Sequence, residues 1–323
     1  MHAPPRGLVY AIYYTALAVI AVPVNIVAIV ILSRGKCGLS RCISRYLVSM
    51  AATDLLVIIT AVILNRIPAI YFPGSFLSIT PVCSFSVALI YAARDSSVWL
   101  TVMFTFDRHV AICWQKLKTK YCTHRTAGIV VSAVCTLSCV INIPWYFLYE
   151  PVYVIDNVPW YCKSKGILYS FLPWIIFDWT DRILTPCLPF LLILSLNSLT
   201  VRHILAASRA RRRLRSSPTG ERQSDPEMES RRKSIVLLFA ISGCFILLWM
   251  PYVIYFFIER FQAGFTITGY SDPRFILMES TNVFQMLSCC SNTFIYAVTQ
   301  NKFREELKAL MKFLLNVSHS PAL

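Results

Sequence analysis

Acidic residues are scarce in this chain: 16 Asp and Glu stand against 31 Lys and Arg, and charged residues make up only 15% of the 323 positions. A soluble fold carries more charge than that on its surface, and a hydrophobic content of 56% exceeds what a soluble core can hide. Histidine is also sparse. His2, His109, His124, His203 and His319 all fall at or beyond the ends of apolar runs, which leaves no convergent set for an intramembrane enzyme. The two halves show no correspondence, so a transporter built from internal repeats is disfavoured. No outward-facing Asn-x-Ser/Thr sequon occurs, because Asn316-Val317-Ser318 belongs to the inner tail. The first apolar run is long enough to span and has no obvious small-residue cleavage site, so no cleavable leader is expected.

What the chain does contain is apolar runs of bilayer length. They cover Leu8–Leu32, Ile43–Asn65, Ser84–Cys113, Ala127–Leu148, Trp174–Val201, Ile235–Ile258 and Phe275–Thr299, and each exceeds the roughly 20 residues a crossing needs. These are helices one to seven of an all-α, seven-transmembrane bundle. Of the 31 basic residues, 22 lie in Ser33–Arg45, Gln115–Arg125, Arg202–Lys233 and Asn301–Lys312. That bias makes those segments cytoplasmic and the amino terminus external, in a multi-pass protein expected at the plasma membrane. The net charge of +15 thus reflects topology and attraction to anionic lipid, not nucleic-acid binding. The domain reading is an external segment over residues 1–7, a bundle over 8–299 with a third cytoplasmic loop at about 202–233, and a cytoplasmic helix and tail over 300–323.

The 12 cysteines sort by depth. Cys135, Cys139, Cys187, Cys244, Cys289 and Cys290 lie within apolar runs and read as small packing residues. Cys83 and Cys162 fall on the oxidising side and are expected to pair; the alternative is two free thiols. Between helices five and six, Arg209–Arg215 holds five arginines in seven residues and is followed by Ser, Pro, Thr and acidic residues. Such a segment cannot build a core. It is either a partner-docking and phosphorylation loop or plain inner-surface charge. After helix seven, Phe303, Leu307, Leu310 and Leu314 recur at helical spacing among basic residues, which gives a short amphipathic eighth helix on the inner leaflet. No cysteine follows it in this sequence, so a palmitoyl anchor there is not expected.

Asn25, Asp54, Asp107-Arg108-His109, Pro189, Phe245-x-x-x-Trp249-x-Pro251 and Asn292-x-x-x-Tyr296 occur in the order and spacing of rhodopsin-like G-protein-coupled receptors, and the chain resembles that family over nearly its whole length. The interval of 25 residues from Cys83 to Arg108 adds to the match; it is about 37 Å of helix, enough to set one residue at each membrane face. Within the superfamily, Leu196-Asn197-Ser198, Leu248-Trp249-Met250-Pro251 and a fourth helix carrying Pro144 resemble an orphan, neuropeptide-type group proposed to sense aromatic amino acids or short peptides. The resemblance implies coupling to a heterotrimeric G protein through Asp107, Arg108, His109, Asn197, Trp249, Pro251, Asn292 and Tyr296, with arrestin and a receptor kinase as further partners. It also implies a sodium ion held by Asp54, Ser97 and Asn292 in the resting state. A hydrogen-bonded carboxylate with water is the alternative for Asp54, which costs several kcal/mol if left charged and unpaired in mid-span.

Two departures from the family pattern stand out. His109 replaces the usual tyrosine and brings a group that titrates near neutrality to the inner face. The acid that clamps the resting arginine in many relatives is absent: 18 residues before Trp249 stands Arg231, while Glu229 is displaced by two residues, about 200° around the helix. A weak lock and ligand-independent signalling follow. Pro144, Pro189 and Pro251 are expected to kink helices four, five and six.

For the ligand, Arg94 precedes Arg108 by 14 residues and therefore shares its inward face. Asp181 and Arg182 can approach it from helix five. Either Arg94 receives a ligand carboxylate, or a structural pair, Arg94 with Asp181 or Asp95 with Arg182, pins the helices together. Ile90 stands where amine receptors carry aspartate, which argues against a monoamine. Tyr91, Trp99, Tyr252, Phe256, Asn282 and Gln285 complete a largely aromatic cavity suited to an aromatic amino acid or a peptide terminus. A signalling-silent receptor-like partner protein remains open beside this reading.

Overall fold

The computed structural model describes residues 8–214, 226–261 and 272–319. Helix one is Leu8–Ser33 and helix two is Arg41–Tyr71. Helix three is Thr80–Cys113, helix four His124–Asn142, helix six Pro226–Phe261 and helix seven Pro273–Thr299. Helix five runs from Leu172 to Leu214 in three pieces, and a terminal helix, Asn301–His319, follows helix seven. Six of these helices are long and apolar enough to cross a membrane. Helix seven, with 27 residues, is long enough as well, and it turns Glu279, Gln285 and Asn292 into the bundle. The seven-helix bundle expected from the apolar runs is therefore present.

Local chemistry sets several boundaries. Ser40 accepts from the Ile43 N–H at the start of helix two, Thr123 from Thr126 before helix four, and Asp272 from Arg274 before helix seven. Each side chain satisfies a donor that has no partner within its helix. Helix two continues six residues beyond the Asn65 limit expected from apolarity, through a π-helical stretch at Ile58–Arg66 that ends in Ile67–Tyr71. Arg66 therefore belongs to a membrane helix and not to a loop. Helix four gives way at Pro144 to a tighter turn, Ile143–Leu148.

The break in helix five falls at Thr185–Pro186, not at Pro189. Thr185 is extended (φ −147°, ψ 106°), the conformation a following proline imposes. Pro189 instead occupies the first turn of the resumed helix Leu188–Leu214, where its missing N–H costs nothing.

Cys83 and Cys162 form the expected disulfide, which ties the start of helix three to a hairpin built from Tyr153–Ile155 and Val158–Trp160. At the opposite end, Phe303 of the terminal helix is fully buried against Tyr296. Leu307 and Leu310 rest on the same core, so the apolar face of this helix closes the bundle as well as pointing away from solvent. Leu314 lies outside the described side chains.

Candidate functional site

Three polar layers are stacked along helix three, beginning at the disulfide end. The first lines a cavity of about 320 Å³, into which Tyr91, Arg94, Arg182, Tyr252, Asn282 and Gln285 all project as the sequence suggested. Arg66, Tyr255 and Glu259 line it too, unanticipated. Three expected lining residues do not reach it. Phe256 is buried against Trp179 and Phe257, because helix six turns it toward helix five. Asp181 sits behind Arg94, which it neutralises. Trp99 likewise packs with the group of apolar residues around Val98 and Trp249.

Arg94 is held from two sides. Its Nη2 lies 3.4 Å from Asp95 Oδ1 and 3.5 Å from Asp181 Oδ2, and its guanidinium stacks over Tyr91 at 4.4 Å. Tyr91 in turn stacks flat on the buried Trp145, with centroids 4.4 Å apart. Asn142 of helix four donates to Asp95 Oδ2 at 2.8 Å and fixes that carboxylate. The expected pair of Asp95 with Arg182 does not form. Arg182 reaches Asp178 one turn earlier on its own helix, at 3.5 Å, and donates to the Tyr252 hydroxyl at 2.6 Å.

On the other wall, Arg66 donates to Glu279 Oε1 at 2.9 Å and Tyr14 donates to Oε2 at 2.6 Å. This trio joins helices one, two and seven and escaped the sequence reading. A usable signal existed, since any acid inside an apolar span needs a partner.

Below the cavity lies the Asp54 cluster. Ser97 donates to Asp54 Oδ1 at 2.5 Å and Asn292 to Oδ2 at 2.9 Å, so the three residues proposed from sequence do converge. Ser288 and Ser291 bring further oxygens to a space of about 10 Å³ beside them, close to the ~10–15 Å³ that one water needs. One carboxylate with serine hydroxyls around it suits a small hard cation, while Asn292 presents its Nδ2–H to Asp54. Ser97 and Trp249 line both this space and the larger cavity above, and the Trp249 indole donates to Ser288 at 3.2 Å. Pro251 lies within helix six two residues beyond Trp249.

The third layer is Asp107-Arg108-His109. Arg108 binds the Asp107 carboxylate through Nε and Nη2, and Cys42 donates to the other carboxylate oxygen at 3.3 Å. Burial, reinforced by Asp107, pushes the Cys122 thiol up to about 12, so it stays protonated and donates to the Asp107 carbonyl. Toward helix six, Arg108 Nη1 donates to the Ser234 hydroxyl at 3.3 Å. Ser234 is three residues beyond Arg231, hence on nearly the same helix face. The side chains of Glu229 and Arg231 lie outside the described residues. His109 Nδ1 meets Thr200 Oγ1 at 2.8 Å. The Thr200 proton is directed to the Leu196 carbonyl, so Thr200 accepts and His109 carries its proton on Nδ1. Asn197 Oδ1 and the Tyr296 hydroxyl are buried without hydrogen-bond partners among the described residues.

The contact from Arg108 to helix six thus ends on a neutral hydroxyl. Replacing Ser234 with glutamate puts a carboxylate against Arg108 and is expected to lower ligand-independent nucleotide exchange about three- to tenfold, in line with ~1 kcal/mol for a partly exposed ion pair. An exchange assay on membranes with matched chain abundance checks this; unchanged basal exchange counts against a loosely held Arg108.

Residues 24–296 match the family model described as 7 transmembrane receptor (rhodopsin family). The chain is 26% identical over 293 residues to the FMRFamide receptor of Drosophila melanogaster, covering 87% of this chain and about half (49%) of that protein. It is 23% identical over 312 residues to C-C chemokine receptor-like 2 of Macaca mulatta, at 95% and 80% coverage. With G-protein coupled receptor 15 of Mus musculus it shares 24% over 311 residues, at 95% and 79% coverage.

Proposed function

The chain belongs to the rhodopsin family of seven-transmembrane receptors, and on that premise we propose that it binds a small carboxylate-bearing ligand, an aromatic amino acid or a peptide terminus, and activates a heterotrimeric G protein. The family is one of receptors and not of enzymes. In this reading the face carrying Arg108 is cytoplasmic, the disulfide face is external, and the protein sits in the plasma membrane. The peptide alternative is supported by the likeness to the FMRFamide receptor.

The observation that carries the proposal is the shared wall of Trp249 and Ser97. A ligand seated between Arg94, Tyr91 and Tyr252 rests on the indole whose N–H reaches the Asp54 cluster. Displacing Trp249 therefore changes the space beside Asp54 and Ser97, about three turns of helix three above Arg108. Asn197 and Tyr296, each with an unpartnered buried polar atom, supply groups that gain hydrogen bonds when the cytoplasmic half rearranges. Asp54, Ser97 and Asn292, with Ser288 and Ser291 nearby, are the residues that would hold a sodium ion favouring the resting arrangement. Arrestin and a receptor kinase are partners of the same cytoplasmic face.

The test is guanine-nucleotide exchange on purified G proteins of several classes, with the chain in neutral nanodiscs and L-tryptophan, L-phenylalanine and short peptides as probes. Exchange above empty nanodiscs in at least one class is expected. Sodium is expected to reduce it severalfold, and Asp54→Asn to abolish that sodium dependence. No exchange in any class, with correctly folded chain, would favour a signalling-silent partner protein instead.

A further inference from the structure

A second cavity opens between the cytoplasmic ends of the helices, with a volume of about 520 Å³. Arg108 of helix three, Lys118 of the short helix Gln115–Tyr121, Lys233 of helix six and Lys302 of the terminal helix all line it. No carboxylate is among the described residues lining it. Asp107 lies buried beneath the floor and is already engaged by Arg108 and Cys42, and Glu306 stands near Cys37 at the edge. The general bias of basic residues to the cytoplasmic side explains lysines in loops. It does not explain four cations from four separate elements converging on one concavity that has no carboxylate among its described lining residues.

One backbone detail bears on where the Lys302 side chain lies. Gly38 has φ +68°, and a Cβ there would lie 2.9 Å from Lys302 Cδ. The loop between helices one and two thus keeps a glycine where the Lys302 side chain lies across it.

We propose that this cavity is a binding site for a phosphorylated polyol, an inositol-phosphate anion, held by Lys118, Lys233 and Lys302 above Arg108. Its volume falls in the range of ordinary ligand pockets, ~300–1,000 Å³. Phosphate oxygens accept charge-assisted hydrogen bonds from several ammonium groups at once. Because Lys233 and Ser234 belong to helix six and Arg108 to helix three, the anion bridges the two helices. It supplies the negative charge that the Ser234 contact lacks, and it holds helix six closed. This signalling consequence rests on the receptor reading above; the binding itself does not.

The anion can arrive as a lipid headgroup or as the free sugar phosphate, and two arms separate these sources. In one, inositol 1,4,5-trisphosphate is titrated onto the whole chain in phosphatidylcholine nanodiscs. In the other, nanodiscs contain phosphatidylinositol 4,5-bisphosphate or phosphatidylserine at equal total charge, and retained lipid is counted by native mass spectrometry. Binding in the first arm identifies the soluble anion, and binding confined to the second identifies the lipid; either supports the site. Lys118→Gln and Lys302→Gln should each weaken binding roughly fivefold. Gly38→Ala should do the same alone and add nothing to Lys302→Gln. The pair Lys116→Gln and Lys120→Gln, on the same short helix but outside the cavity, should leave binding unchanged. Absence of binding in both arms overturns the proposal. So does an equal loss in the Lys116/Lys120 variant, which would reduce the effect to plain surface charge. Bound anion should also lower nucleotide exchange severalfold; binding without that effect overturns the closing role while leaving the G-protein reading intact.

Discussion

Glu279→Ala is expected to destabilise the purified chain by about 3–5 kcal/mol, the cost of removing one partner of a buried ion pair. Glu279 is 1% exposed and accepts from both Arg66 and Tyr14, so it joins helices one, two and seven at the external end. Without it, the Arg66 guanidinium lacks that counter-charge among apolar neighbours and the Tyr14 hydroxyl lacks that acceptor. Glu279→Gln keeps an acceptor for Tyr14 and should cost less. The pair Arg66→Met with Glu279→Leu removes both charges, and much of the lost stability should return, since replacing a whole buried pair by apolar side chains is often near neutral. Thermal unfolding of the parent, Glu279→Ala, Glu279→Gln, the single variants Arg66→Met and Glu279→Leu, and their double variant, all in one detergent, measures the cycle. A Glu279→Ala protein as stable as the parent, or a double variant worse than the sum of its parts, would show that the trio is not what closes this end of the bundle.

The ease with which that trio is missed in the sequence says what a one-dimensional reading can and cannot carry. Apolar runs locate the helices, because desolvation in a bilayer acts on every residue of a span. Helix seven, expected at Phe275–Thr299, forms over Pro273–Thr299. Helix two is harder to read. The apolar run is interrupted at Asn65-Arg66, but the helix runs on to Tyr71, and Arg66 meets Glu279, a partner 213 positions away. The π-helical stretch compounds this, since one extra residue per turn shifts every later side chain around the axis and defeats counting at 3.6. Helix three obeys regular geometry from Thr80 to Cys113, and there the counting works: Arg94, Ser97 and Arg108 face inward as their spacing demands.

Depth was legible; pairing was legible only in part, since Arg94 with Asp181 stood among the alternatives and Arg94 with Asp95 did not. That Arg94 faces the interior follows from 14 residues of regular helix. That it is shared by Asp95 and Asp181, while Arg182 turns to Asp178 and Tyr252, depends on the break at Thr185, which resets the rotation of helix five. Asn142 and Ser234 were equally silent. Each is a small polar residue whose role appears only through the charged group it touches.

Arg94→Ala should weaken agonist potency by at least about thirtyfold, since truncating one member of a buried charged contact costs ~2–5 kcal/mol. The competing view is that Arg94 only pins helix three to helix five through Asp181. Its geometry separates the two. The carboxylate contacts are long, 3.4 Å to Asp95 and 3.5 Å to Asp181, and fall on Nε and Nη2, while the guanidinium plane lies over Tyr91 and the residue lines the cavity. Nη1 is left for an incoming carboxylate. A cycle that changes the ligand as well as the protein isolates this contact: the parent should lose about thirtyfold when an agonist amino acid is replaced by its carboxamide, and Arg94→Ala should lose nothing further. Arg94→Lys keeps the charge but not the planar fork, and should fall between the two. Asp181→Asn loosens the guanidinium without removing it; a purely structural Arg94 predicts that this variant loses potency as well, whereas a carboxylate-binding Arg94 keeps or gains it. If the acid and the carboxamide differ equally on the parent and on Arg94→Ala, with both proteins folded and at the cell surface, the ligand carboxylate binds elsewhere, and Arg182 and Arg66 are the remaining arginines lining the cavity.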